Sequence, residues 1–96
     1  MKKEINLINL YDYYGELLTE KQQNYFVDYF FNDLTLQEIS ENNNVSRNAV
    51  HKQIKESEAK LNFYEEKLKL ITNKNKINKL IENIDGDLKK RIEELI

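Results

Sequence analysis

The residues with the most chemical capacity stand close together, in the run "SRNAVHKQIK" from Ser46 to Lys55. Arg47 can donate two hydrogen bonds to guanine, and Asn48 can pair with adenine. Ser46, Lys52 and Lys55 suit phosphate oxygens. His51 lies in the same run and offers a further phosphate or base contact. This is equipment for holding a polyanion, not for breaking a bond. His51 is the only histidine, and no cysteine is present to act as nucleophile or thiolate ligand. No Gly-rich phosphate loop, HExxH or CxxC occurs. Glu65 and Glu66 are adjacent, so on a helix they point about 100° apart and do not form an acid–base pair. The residues therefore imply no enzyme, no cofactor and no metal.

The elements that must position this run are legible around it. "LTLQEISENNNVSRNAV", from Leu34 to Val50, reads as two short helices joined by a tight turn. Thr35 with Glu38 forms a capping-box pattern for the first helix. Asn tolerates the left-handed conformation, so Asn42, Asn43 and Asn44 supply a helix stop and a turn. Ser46 is a strong N-cap for the second. A helix-turn-helix needs apolar and small residues in a fixed order, and Ile39, Ser40, Asn44, Val45, Val50 and Ile54 provide it. Val45 is expected to plug the core after the turn. With Val50 and Ile54 inward, Arg47, Asn48, His51, Lys52 and Lys55 face outward, where a recognition helix meets a major groove. The same pattern also serves a helix-turn-helix used only for folding or for protein contact.

The spacing elsewhere predicts more helices, so the fold class is all-α. A first helix covers 4–16, with Ile5, Leu7, Ile8, Leu10 and Tyr14 on its apolar stripe. Thr19 and Gln22 form another capping box, opening a second helix that runs to Phe31. Its aromatics Tyr25, Phe26, Tyr29 and Phe30 read as core rather than as a platform for stacked bases. The recognition helix is expected to be elongated. Val50, Ile54, Ser57, Leu61, Tyr64, Leu68 and Ile71 form a heptad seam on a helix that from Ser46 to Ile71 would be about 39 Å long. Such a rod outruns a small domain, so Leu61, Tyr64, Leu68 and Ile71 are candidates for an oligomer interface, a homodimer being favoured. The N-terminal helix and the C-terminal segment are the other candidates for covering that seam. Residues 72–79 either continue the helix or fray. Asp85-Gly86-Asp87 is a capped turn before a short last helix. The organisation implied is one helical domain over 1–96, with a helix-turn-helix core at 19–60 and a helical extension at 61–96.

Composition agrees. The 96 residues are 40% hydrophobic and 33% charged, with no Pro and two Gly, so few breakers interrupt the helices. No apolar run is long enough to span a membrane, and the N-terminus lacks the pattern of a signal peptide. With no cysteine, a cytoplasmic protein is the expectation, and the glycosylation pattern Asn44-Val45-Ser46 then carries no meaning. The formal charge of −2 hides a polarity. Residues 1–45 carry three bases and eight acids, 46–81 nine bases and four acids, and 82–96 three bases and five acids. The basic section begins where the proposed recognition helix begins, as a phosphate-binding surface requires.

From Leu10 to Leu68 the chain resembles the YlxM family of helix-turn-helix proteins, most clearly in "LLTEKQ", "LTLQEISE", "VSRNAVHKQIK" and "YEEKL". More distantly it resembles the promoter-reading C-terminal domain of bacterial sigma factors, a sigma region 4-like fold. The resemblance implies an all-helical bacterial protein with a regulatory role. Family members are associated, through gene neighbourhood, with the signal recognition particle pathway. By analogy the nucleic-acid face falls on Ser46, Arg47, Asn48, His51, Lys52 and Lys55, and the partner is DNA or structured RNA. The alternative is a protein adaptor of the signal recognition particle that keeps the fold without binding DNA.

Overall fold

Most of the helices begin where a side-chain oxygen can accept from the N–H groups that a first turn leaves free. The computed structural model describes the backbone of residues 2–96 and the side chains from residue 6 onward. Within these residues the chain forms six α-helices and one 3-10 turn, with no strand. They are α1 (Lys2–Tyr14), the 3-10 turn Gly15–Leu17, α2 (Glu20–Phe30), α3 (Leu36–Asn43), α4 (Arg47–Leu68), α5 (Leu70–Ile81) and α6 (Gly86–Glu93). The expected all-α class is what the structure has. Both capping boxes form. Thr19 Oγ1 accepts from the Gln22 N–H and Gln22 Oε1 from the Thr19 N–H, each at 3.2 Å. Thr35 and Glu38 make the same reciprocal pair at 3.1 and 2.9 Å. Ser46 Oγ caps α4 at the Ala49 N–H, and Asp85 caps α6 at the Leu88 N–H.

Apolar burial gathers in two clusters. Leu7, Leu10 and Tyr14 of α1 meet Leu18, Phe26 of α2 and Leu61 of α4. The place of Ile5 on the α1 stripe lies outside the described side chains. Tyr25, Ile39, Val50 and Ile54 form the second cluster, inside the helix-turn-helix. Phe30 packs against both and so ties them together. Tyr11 lies flat on Phe26, with ring centroids 4.7 Å apart and planes 7° from parallel. A Cβ on Gly15 would stand 2.8 Å from the Tyr11 ring, so that close packing requires a glycine there. Buried Ser57, the polar interruption of the seam, is satisfied by donating to the Gln53 carbonyl at 2.8 Å.

Two expectations need correction. Val45 does not plug the core: it is 36% exposed and sits at the rim of a shallow recess beside Tyr25 and Asn43. The space between α3 and α4 is already filled by Tyr25, Ile39, Val50 and Ile54. Left-handed Asn44 (φ 54, ψ 43) carries Val45 past it, while the Val45 N–H donates to the Ser40 carbonyl at 3.1 Å.

The long fourth helix is also not continuous to Ile71. It ends at Leu68, and Lys69 turns left-handed (φ 56, ψ 31) before α5 starts. Residues 72–79 are therefore helical, but in a separate helix. A left-handed conformation costs a residue with a Cβ about 1–2 kcal/mol, and a clasp offsets it. Lys69 gives α5 no side-chain cap. Instead Glu65 reaches forward, accepting from the N–H of Ile71 at 3.1 Å, the N–H of Thr72 at 2.9 Å, and the Thr72 hydroxyl. Tyr14 of α1 donates its hydroxyl to Glu65 at 2.6 Å and accepts from the Leu70 N–H at 3.1 Å. Lys69 itself is exposed. We expect Lys69→Gly to stabilise the chain by about 0.5–1 kcal/mol, the relieved strain exceeding the added unfolded-state entropy; chemical denaturation checks this.

Candidate nucleic-acid interface

The turn at Asn44 fixes which way α4 leaves α3, and burial of Val50 and Ile54 fixes its rotation. Asn43 Nδ2 donates to the Ile39 carbonyl at 2.7 Å, and Ser40 Oγ to the Gln37 carbonyl at 2.7 Å. The end of α3 is thus satisfied by its own side chains, and the small Ser40 lies buried there.

All six sequence-selected residues, Ser46, Arg47, Asn48, His51, Lys52 and Lys55, are exposed. Helical spacing arranges them in two rows. Arg47, His51 and Lys55 recur at every fourth residue along one edge. Asn48 and Lys52 recur along the next. Arg47 lines a shallow recess with Tyr29, Thr35 and Gln37. Among the described residues, Arg47 and Lys52 enter no ion pair, whereas Lys55 pairs with Glu58 at 3.3 Å. That exposed i,i+3 pair holds Lys55 weakly. No acidic residue stands in the first turn of α4, where the helix dipole favours an anion. The site therefore offers two free cations, a third that is loosely held, and amide and hydroxyl donors at a positive helix end.

Other residues act behind this face, and their spacing in the sequence does not mark them for it. Gln22 is buried; its Nε2 donates to Gln53 Oε1 at 3.3 Å, and its Oε1 accepts from Lys60 Nζ at 3.0 Å. This bridge joins α2 to α4 just below the exposed rows. Lys60, part of the basic section, is thereby engaged within the fold. The capping-box pattern marks Gln22 as a cap, but nothing in sequence spacing tells of its second face.

The four candidates for an oligomer seam fare differently. Leu61 is 0% exposed, enclosed by residues of α1 and α2, so no second copy can reach it. Tyr64 and Ile71 pack half-buried against the same cluster, Ile71 from α5 rather than α4. Leu68 is 50% exposed. The N-terminal helix, one of the partners the seam allowed, covers its middle.

No helix among the described residues is long and apolar enough to cross a membrane. The chain matches, over residues 1–96, the UPF0122 family, described as "Putative helix-turn-helix protein, YlxM / p13 like". It is 53% identical over 72 residues to a UPF0122 protein of Malacoplasma penetrans, covering 72% of this chain and 67% of that one. It is 43% identical over 93 residues to one of Fusobacterium nucleatum, covering 96% and 90%. A Geobacillus kaustophilus relative is 40% identical over 91 residues, covering 95% and 83%. The family description is of helix-turn-helix proteins and names no enzyme activity. With a helix-turn-helix built on Asn44 and a match running from end to end, the chain belongs to the UPF0122 family.

Proposed function

We propose that this protein is a small regulatory helix-turn-helix protein that binds nucleic acid through the start of α4. The observation that carries the reading is the exposure of Arg47 and Lys52, which enter no ion pair among the described residues, on a helix whose opposite side is locked by Val50 and Ile54. Ser46, Asn48, His51 and Lys55 complete the face. The partner is duplex DNA or structured RNA, and the cytoplasm is its setting. Through the family resemblance, the signal recognition particle pathway is where the regulation acts.

Arg47→Ala with Lys52→Ala is the test. Affinity for duplex DNA or structured RNA should fall roughly 10–100-fold, and the dependence on salt should flatten by about one unit of slope for each phosphate no longer neutralised. Helicity and melting temperature should not change, since both side chains are exposed. Equal affinity of the double variant and the parent, measured by fluorescence anisotropy, would remove this face from the function.

A second reading, an adaptor of the signal recognition particle, is favoured by one feature. Phe63 is exposed on α4 with Lys67 Nζ 5.6 Å from its ring centroid, about three turns along the helix from Lys52. Phe63→Ala should then weaken binding to the particle's protein component in nuclease-treated mixtures and leave nucleic-acid affinity intact.

A further inference from the structure

The basic section outlasts the face assigned to α4. Of its nine bases, Arg47, Lys52 and Lys55 stand on that face, and Lys60 is held by Gln22. The other five are all lysines, and they fall between Lys67 and Ile81, a stretch with no acid. Lys67 Nζ lies 5.6 Å from the centroid of the Phe63 ring, and Lys74 Nζ 5.7 Å from that of Tyr13. Lys69 occupies the left-handed turn. Lys76 and Lys79 remain, both exposed and, among the described residues, in no ion pair. Ile71, Ile77 and Ile81 form the inward side of α5, Ile81 buried and the other two half-buried. At 3.6 residues per turn, Lys76 and Lys79 stand about 60° apart on the side opposite those isoleucines. Asn75 is exposed beside them.

Helix α1 lies against the inward sides of both α4 and α5, through Leu61 of one and Ile71 of the other. Lys52 points away from the stripe of Val50, Ile54 and Leu61, and Lys76 away from Ile71. Both basic sites therefore look away from α1, on one side of the molecule. Helix α4 sets the distance between them. Its 22 residues span about 33 Å, in a chain 55 Å long. That is close to one turn of duplex, about 34 Å. Between the two sites α4 exposes Glu56 and Glu66, so a polyanion is met at two places rather than along the whole rod. We infer that α5 is a second phosphate-binding site, where Lys76 and Lys79 hold the backbone of the same duplex about one turn from the segment met by α4. The inference rests on the nucleic-acid reading of α4. A duplex suits α5 better than a lipid surface does, because its isoleucines are turned into the fold and are not free to enter a bilayer. Such contacts add salt-dependent affinity and fix position, without reading sequence.

The experiment titrates the full chain by fluorescence anisotropy, with DNA and RNA duplexes of two lengths. One has about 20 base pairs; the other is a hairpin stem of about 8, shorter than α4 at about 3.4 Å per pair. The parent should bind the long duplex more tightly than the short one. Lys76→Gln with Lys79→Gln should lower affinity for the long duplex roughly 5–20-fold, flatten its salt slope by about two units, and erase most of the gain from length. Lys90→Gln with Arg91→Gln removes the same charge from α6 and should change affinity by less than about two-fold, because salt screens distant charges. Helicity should be unchanged in both variants, since all four side chains are exposed. If the α5 pair has no effect while Arg47→Ala with Lys52→Ala weakens binding, this inference alone is overturned. If neither pair has an effect, the α4 reading is overturned with it. Equal losses from the α5 and α6 pairs would mean overall charge rather than a site. Reduced binding of the α5 variant to phosphatidylcholine–phosphatidylglycerol vesicles, with duplex affinity intact, would assign α5 to a lipid surface. Either result overturns the second phosphate site.

Discussion

Phe26→Ala should leave the protein barely folded. Phe26 is wholly buried, stacked on Tyr11 from α1 and 4.5 Å, centroid to centroid, from Phe30. Removing such a ring costs about 3–5 kcal/mol, because transfer energy is lost and the cavity only partly closes. A domain of this length has a total stability on the order of 5–15 kcal/mol. The ring also gives Tyr11 its partner, and Tyr11 in turn occupies the space that Gly15 leaves open. Losing it should detach α1 from α2 and, through Phe30, loosen the helix-turn-helix cluster. Thermal unfolding should show a fall in melting temperature of more than about 10 °C. Nucleic-acid affinity should fall only in proportion to the unfolded fraction, because the exposed α4 face is built from other residues. An unaltered melting temperature would mean that the two clusters do not depend on this ring.

Glu65→Ala should be the next most damaging change, although Glu65 lies at a helix end rather than in the core. Burial alone would push its carboxyl up. The Thr72 hydroxyl, the Tyr14 hydroxyl and the N–H groups of Thr72 and Ile71 outweigh that and hold it down at about 2. Alanine removes the cap of α5 and leaves the Tyr14 hydroxyl, whose own ionisation is pushed up by burial and then by Glu65, without its acceptor. Capping losses and charged hydrogen bonds of this kind together amount to roughly 2–3 kcal/mol. The pH dependence has a definite sign. The folded carboxyl ionises well below its unfolded value of 4.5, so its stabilisation is complete above pH 4.5 and is lost as pH falls towards about 2. Because the group is partly in contact with solvent, the pH-dependent part is discounted to roughly 1–2 kcal/mol. Glu65→Gln should keep an acceptor, lie between parent and Glu65→Ala in stability, and lose this acid-range slope. Urea unfolding at several pH values measures both effects. If the parent and Glu65→Gln weaken in parallel on acidification, the clasp does not involve an ionised Glu65.

The clasp is also where local spacing ceases to be informative. An unbroken 4, 3, 4, 3 seam from Val50 to Ile71 describes a straight helix equally well with or without a break, since that spacing is silent about Lys69. The break depends on Tyr14, 51 residues before Glu65. Only the docking of α1 brings that hydroxyl to the carboxylate. The same docking took Leu61 out of reach of a second copy. Val45 departs from expectation for a related reason: its order after the turn is local, but whether space is left for it depends on Tyr25 from α2.

The sequence by itself determined the all-α class, both capping boxes, the left-handed asparagine turn, and the outward face of Arg47, Asn48, His51, Lys52 and Lys55. These follow from interactions within about one helical turn, where side-chain type and 3.6-residue spacing leave few choices. Tertiary structure alone decided which apolar side chains the chain covers for itself and which it leaves open. That outcome depends on contacts between distant segments: Tyr14 with Glu65, Gln22 with Lys60, and α1 along the middle of α4. Leu61 is thus enclosed while Leu80, Leu88 and Leu95 stay exposed, a distribution no periodicity encodes.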